Sequence, residues 1–232
     1  MSATETADEA LPERRRRSDA ERNRQRVLDA AVEVFAERGI DAQIPDVARR
    51  AGVGIATVYR NFPSKRALLS ALMEQRVADL EAFVRGALAE ELDPWSSFVE
   101  LLRRAAAAQA ADSAFRQYML ATTTCSPVAA ARERLLDATG ELMRRAQAAG
   151  QLRPDVAAED VPLLLMGLGW ALCGVGGTDS NLWERYLAIM VDGLRAEGAN
   201  PLPHAPLERD DLVRLLADAR GGDEAAGPAL PC

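Results

Sequence analysis

Residues 44–62 read Ile-Pro-Asp-Val-Ala-Arg-Arg-Ala-Gly-Val-Gly-Ile-Ala-Thr-Val-Tyr-Arg-Asn-Phe, and this stretch decides the fold. A short helix over about 45–51 is followed by Gly-Val-Gly at 52–54 and a second short helix over about 55–61. Two helices that cross steeply need a small residue where they approach, a glycine at the turn, and apolar residues inward on both. Ala48 is the small residue, Gly52 the turn, and Val47, Ala51, Val53 and Val58 the inward set. That combination is the pattern of a DNA-binding helix-turn-helix, whose second helix enters the major groove. The competing reading is a purely structural helical hairpin.

Upstream, Val27, Ala30, Ala31, Val34 and Phe35 fall on one apolar stripe of a helix that starts near 22 and is closed by Gly39. Downstream, Pro63 ends the motif, because the residue before a proline is pushed out of the helical region. Ser64 is placed to cap the next helix. In that helix Leu69, Leu72, Met73, Val77, Leu80, Phe83, Val84 and Leu88 keep one stripe to about residue 90. Further helices are expected over about 94–110, 113–121, 127–149, 159–176 and 181–196, with a short one at 208–219. There are no alternating β-branched runs and no hairpin turns, so the predicted fold is all-α. The expected divisions are a disordered basic arm over 1–20, a three-helix DNA-binding domain over 21–66, a helical body over 67–197, and a flexible Pro/Gly-rich tail over 198–232.

With 232 residues, 48% of them hydrophobic and 27% charged, the chain is neither a disordered polymer nor a fibre. Three cysteines (125, 173 and 232) and a single His204 offer no metal cluster and no catalytic triad. No catalytic residue, metal or cofactor is therefore assigned, and an enzyme is not expected. The start, MSATETADEALPERRRR, lacks the apolar core of a secretory signal, and the sparse cysteines suit a reducing compartment; the expected location is the cytoplasm.

The net charge of −7 hides an asymmetry. Residues 13–76 carry 14 basic against 9 acidic side chains, while residues 77–232 carry 14 against 23. A basic block on an acidic body suggests that one end meets a polyanion.

Phe35…Gly39, Val47-Ala48…Ala51-Gly52-Val53, Thr57-Val58-Tyr59…Phe62-Pro63-Ser64-Lys65 and Leu68-Leu69 together resemble the TetR/AcrR family of transcriptional regulators. The motifs lie within residues 22–72, about a fifth of the chain. The resemblance implies a homodimer that binds double-stranded DNA, with a body that takes a small-molecule effector. Effector binding would shift the long fourth helix and release the operator. It implies phosphate contacts from Thr57 and Tyr59, whose alternative is a core aromatic with its hydroxyl outside, and from Lys65 behind the Ser64 cap. Gly54, Ile55 and Ala56 open the reading helix and, with Arg60 and Asn61, are the candidates for base edges; Arg60 and Asn61 are also candidates for phosphate alone. The family usually carries Thr or Ser near position 43, where Gln43, Ile44 and Pro45 stand, which puts a contact from Pro45 in doubt. Arg14–Arg17 are candidates for a flexible arm along the backbone or in the minor groove.

In the body, residues 161–178 carry no charge but are flanked by acids, which reads as a buried helix, not a membrane span. Gly167, Ala171 and Gly174 share a face there, and Trp183, Tyr186, Leu187, Met190 and Leu194 make a matching stripe; the resemblance implies that these two helices form the dimer interface, with ordinary intrachain core as the alternative. Phe98, Leu101, Leu102, Phe115, Tyr118, Met119, Met143, Met166, Trp170 and Cys173 are candidates to line an apolar effector pocket, with plain core as the alternative. The expected function is a sequence-specific regulator, in the first place a repressor, released from a palindromic operator by a small, largely apolar effector. The alternative is a regulator that senses oxidation through Cys125.

Overall fold

The structure, a computed structural model, describes residues 10–111, 127–173 and 181–218. Among them stand nine α-helices and no strand. The chain divides into two compact units between Leu72 and Met73.

The first unit contains α1 (Ala10–Arg38), a 3-10 turn (Gly39–Asp41), α2 (Ile44–Ala51), α3 (Ile55–Asn61) and the start of α4 (Lys65–Ala89). Its core is built from the expected stripe: Val27, Ala31, Val34 and Phe35 of α1 are almost fully buried, as are Val47 and Ala48 of α2 and Val58 of α3. Gly52 ends α2 with φ +63°, where its amide closes on Ala48 and Arg49. A side chain there would meet both the left-handed backbone penalty and the Arg26 guanidinium, 3.1 Å from the position of a Cβ. Arg26 holds this turn by donating to the Ala51 carbonyl at 2.7 Å.

Two expectations about this unit change. The helix expected from about 22 begins at Ala10, so residues 10–20 are helical where a disordered arm was expected. Alanine, arginine and glutamate are good helix formers, and a helix already nucleated by a packed stripe extends one residue at a time at little expense. The boundary expected at 66/67 lies at 72/73, because Leu68, Leu69 and Leu72 continue the buried set.

The second unit contains the rest of α4, then α5 (Pro94–Ala111), α6 (Pro127–Ala148), α7 (Asp160–Cys173), α8 (Leu182–Gly193) and α9 (Arg209–Asp218). Its core gathers Val84, Trp95, Phe98, Leu102, Leu142, Met143, Leu152, Leu165, Leu168, Leu187, Val191 and Leu194. A Cβ on Gly169 of α7 would meet the end of the Gln109 side chain of α5. The helix expected at 113–121 lies outside the described residues.

The tail expected to be flexible from 198 is held as far as α9. Arg153, 8% exposed, donates to the Gly193 and Asn200 carbonyls and pairs with Asp155 at 2.6 Å, while the Leu202 amide donates to the same Asp155. Arg209 then pairs with Asp137 of α6 and with Glu159, and Leu212 is buried. No Pro/Gly count reveals such a clamp, because its anchor is one buried arginine forty residues earlier.

Candidate nucleic-acid interface

The second helix of the motif is short and two-sided. Its first turn is closed by the Gly54 carbonyl, which accepts from Thr57 and Val58. Val58 is fully buried and fixes α3 on the unit, while Gly54, Ile55, Ala56, Tyr59 and Arg60 are exposed. Ile55 and Tyr59 are each 47% exposed, a high value for large apolar side chains on a helix anchored from behind. No atom stands within 4 Å of where a Cβ on Gly54 would lie, so the backbone there is open to close approach. The structure thus brings the expected readers onto one solvent-facing surface.

Asn61 departs from that group. It is half-buried, and its side-chain amide donates to the Thr57 carbonyl at 2.8 Å, folding back on its own helix. Arg60 remains exposed, with one guanidinium nitrogen 3.4 Å from the half-buried Thr57 hydroxyl. Beyond α3, Phe62 is buried, and the Ser64 hydroxyl caps α4 by accepting the Ala67 amide at 3.1 Å. The half-buried Lys65 holds its ammonium 5.8 Å above the Phe35 ring.

The unusual start of α2 has its own solution. Gln43 donates its backbone amide to Asp46 and its side-chain amide to the Asp41 carbonyl. Pro45 is exposed in the first turn. Asp46 also pairs with Arg38 at 2.9 Å and Arg49 at 3.1 Å. The Gln43 amide, above all, and then the two arginines hold its carboxyl below the ordinary value. Arg50 is bound by Glu33 and Glu37 of α1, each at 2.7 Å, which raises its pKa. Sequence reasoning missed Arg24, whose guanidinium lies 4.9 Å over the Phe62 ring; its place on the edge of the α1 stripe was the available signal.

In the body, Phe98 and Leu102 are completely buried, Leu101 is 3% exposed and Met143 2%. All four belong to the buried hydrophobic cluster of this unit. Met166 is half-buried, and Trp170 and Cys173 lie on α7. Phe115, Tyr118, Met119 and Cys125 lie outside the described residues. Of the expected dimer stripe, Leu187 and Leu194 face the chain's own core, 5% and 6% exposed. Trp183 and Met190 pack partly against that core, whereas Tyr186 is 46% exposed and Ile189, not among the expected residues, 56%. Gly167 is exposed on α7, Ala171 lies on the same helix, and Gly174 falls outside the described residues. Among the described residues no His, Cys, Asp and Glu cluster could hold a metal, and no helix is long and apolar enough to cross a membrane.

A helix-turn-helix head with an exposed reading helix, followed by an all-helical body, defines a DNA-binding transcriptional regulator. Residues 27–72 match the bacterial regulatory proteins of the tetR family, and residues 93–196 match the C-terminal domain of SbtR-like transcriptional regulators. The TetR transcriptional regulator SCO0520 of Streptomyces coelicolor is 35% identical, over 74% of this chain and 98% of its own, with a TM-score of 0.59. A TetR regulatory protein of Mycobacterium vanbaalenii is 34% identical, over 77% and 98%, with a TM-score of 0.58. The HTH-type transcriptional repressor LfrR of Mycolicibacterium smegmatis is 41% identical over 90 residues, 38% of this chain and 44% of LfrR. Matches to curated relatives span between 30% and 52% of those proteins' lengths. The chain belongs to the TetR family of transcriptional regulators.

Proposed function

We propose that this chain is a repressor that binds a near-palindromic operator as a homodimer and leaves it when a small, largely apolar effector enters the body. The observation that carries the reading is the outward face of α3, where Ile55, Ala56, Tyr59 and Arg60 stand exposed behind a fully buried Val58. Ile55 and Ala56 suit thymine methyl groups and Arg60 a guanine edge, while Thr57, Tyr59 and Lys65 suit phosphate. Repression is supported by the similarity, over 90 residues, to LfrR, a transcriptional repressor. The apolar interior of the body supports an apolar effector. Tyr186 and Ile189, with Gly167 on the preceding helix, are the residues we assign to the dimer face.

Selection of bound fragments from a random duplex pool tests this. Enrichment of an inverted repeat with half-sites about one helical turn apart, or slightly more, is expected. Enrichment of a single unrepeated site, or none from a folded protein, would reject the dimeric operator.

A further inference from the structure

The basic part of α1, expected from the sequence as a flexible arm, precedes residue 27, where the family match begins, and the operator reading proposed above does not use it. Between Ala10 and Arg26 stand seven arginines against three carboxylates, and the structure makes this segment one continuous helix with the packed part of α1. Its place on the head is fixed at Arg24 and Arg26. Arg26 donates to Ala51, just before the turn into α3, and Arg24 stacks over Phe62, just after α3 ends. Residues 24–26 therefore lie against both ends of the reading helix. At about 1.5 Å per residue, positions 14–17 stand roughly 10–15 Å farther along the axis.

Charge and local structure conflict along this helix. Arg14–Arg17 occupy its second turn, close to the positive end of the helix dipole, where cations are disfavoured. Like charges three residues apart add repulsion. Within the segment three carboxylates, Glu13, Asp19 and Glu21, stand against the seven arginines, and Asp19 pairs with Arg22. A polyanion alongside would relieve both terms at once. A helix whose sequence places cations at the positive end of its own dipole is one that a polyanion alongside would stabilise. A helix about 10 Å across does not fit a minor groove about 6 Å wide, so the segment lies along the outer backbone and not in that groove.

We propose that residues 10–26 form a rigid basic rod that grips the phosphates flanking the operator, outside the bases read by α3. This rests on the operator-binding reading above. Its test uses the full chain with the selected palindrome, either trimmed to its ends or carrying about ten further base pairs of arbitrary sequence on each side, across a range of salt. The wild type is expected to prefer the long duplex about tenfold, and replacing all four of Arg14–Arg17 by alanine to abolish that preference while leaving the trimmed duplex unaffected. The salt slope on the long duplex should become shallower by about two phosphates per protomer. Ala20→Pro keeps every arginine but breaks the helix, and should also abolish the preference. Equal affinity of the wild type for both duplexes overturns the proposal, as does equal weakening of both by the quadruple variant. Full retention by Ala20→Pro overturns the rigid rod. If no duplex is selected at all, the operator reading fails and the rod falls with it; a selected palindrome with indifferent flanks rejects the rod alone.

Discussion

At the scale of single residues, the reading surface separates side chains with the same apparent chemistry. Arg60 and Asn61 are adjacent, and both residue types pair bidentately with bases. Asn61 already donates to Thr57, and a side chain that must break a 2.8 Å hydrogen bond before reaching a base is a poor reader. Arg60 is exposed, and its contact to Thr57 at 3.4 Å is long. Arg60→Ala is therefore expected to relax preference at one operator position by about 1–3 kcal/mol, while Asn61→Ala leaves the ranking of operator variants unchanged. Competition binding against each single-base variant checks this, and loss of discrimination in Asn61→Ala would reverse the assignment. Lys65 belongs to a different class. Its loss should weaken all duplexes about equally and flatten the salt dependence by about one phosphate.

At the scale of elements, the helices were legible because each carries a stripe that a neighbour buries: Val27 to Phe35 and Phe98 to Leu102 read as they fold. The extension of α1 was not legible, since a charged run reads equally as solvated coil or as helix, and only continuity with a packed helix decides. The dimer stripe was half legible. On α8 the apolar residues lie nearly all round the axis, so periodicity alone cannot say that Leu187 and Leu194 turn inward while Tyr186 and Ile189 turn out. Pairings between distant elements were invisible too, and Glu81 is the example. It is 9% exposed on α4 and accepts from Arg85 at 2.8 Å and from Arg134 of α6 at 3.0 Å. The Arg85 hydrogen bond, then that from Arg134, hold its carboxyl below the ordinary 4.5. Its stabilisation is therefore present above that ordinary value and is lost as the pH falls through the lower folded value. Glu81→Gln is expected to destabilise the protein by about 1–2 kcal/mol at neutral pH, with the gap to wild type closing as the pH falls below the ordinary carboxylate value. Thermal unfolding over a pH series measures this, and a gap independent of pH would mean that Glu81 acts through packing and not through its charge.

At the scale of the whole molecule, the open question is how one head, with a reading helix of seven residues, comes to recognise an operator. Two turns of helix reach only a few base pairs, and the proposed dimer would double the specificity by symmetry. In the proposed dimer the second copy needs a self-complementary surface, and we assign it to α8. Its Leu187 and Val191 are committed to the chain's own core, while Ile189 at 56% and Tyr186 at 46% are left in solvent on the same helix. Large apolar side chains displayed beside a finished core are more economically explained by an unmet partner than by folding, because burying them would add to neither helix nor core in the single chain. Since both side chains already face outward, Tyr186→Glu with Ile189→Glu should leave the fold intact while placing like charges at the centre of an isologous contact. The double variant is expected to sediment as a monomer at micromolar concentration, to keep the helical signal of the wild type, and to lose affinity for the full palindrome while still binding a half-site weakly. A dimer that survives both substitutions would move the interface off α8. A monomer that binds the palindrome as well as wild type would show that the two heads need no link at all.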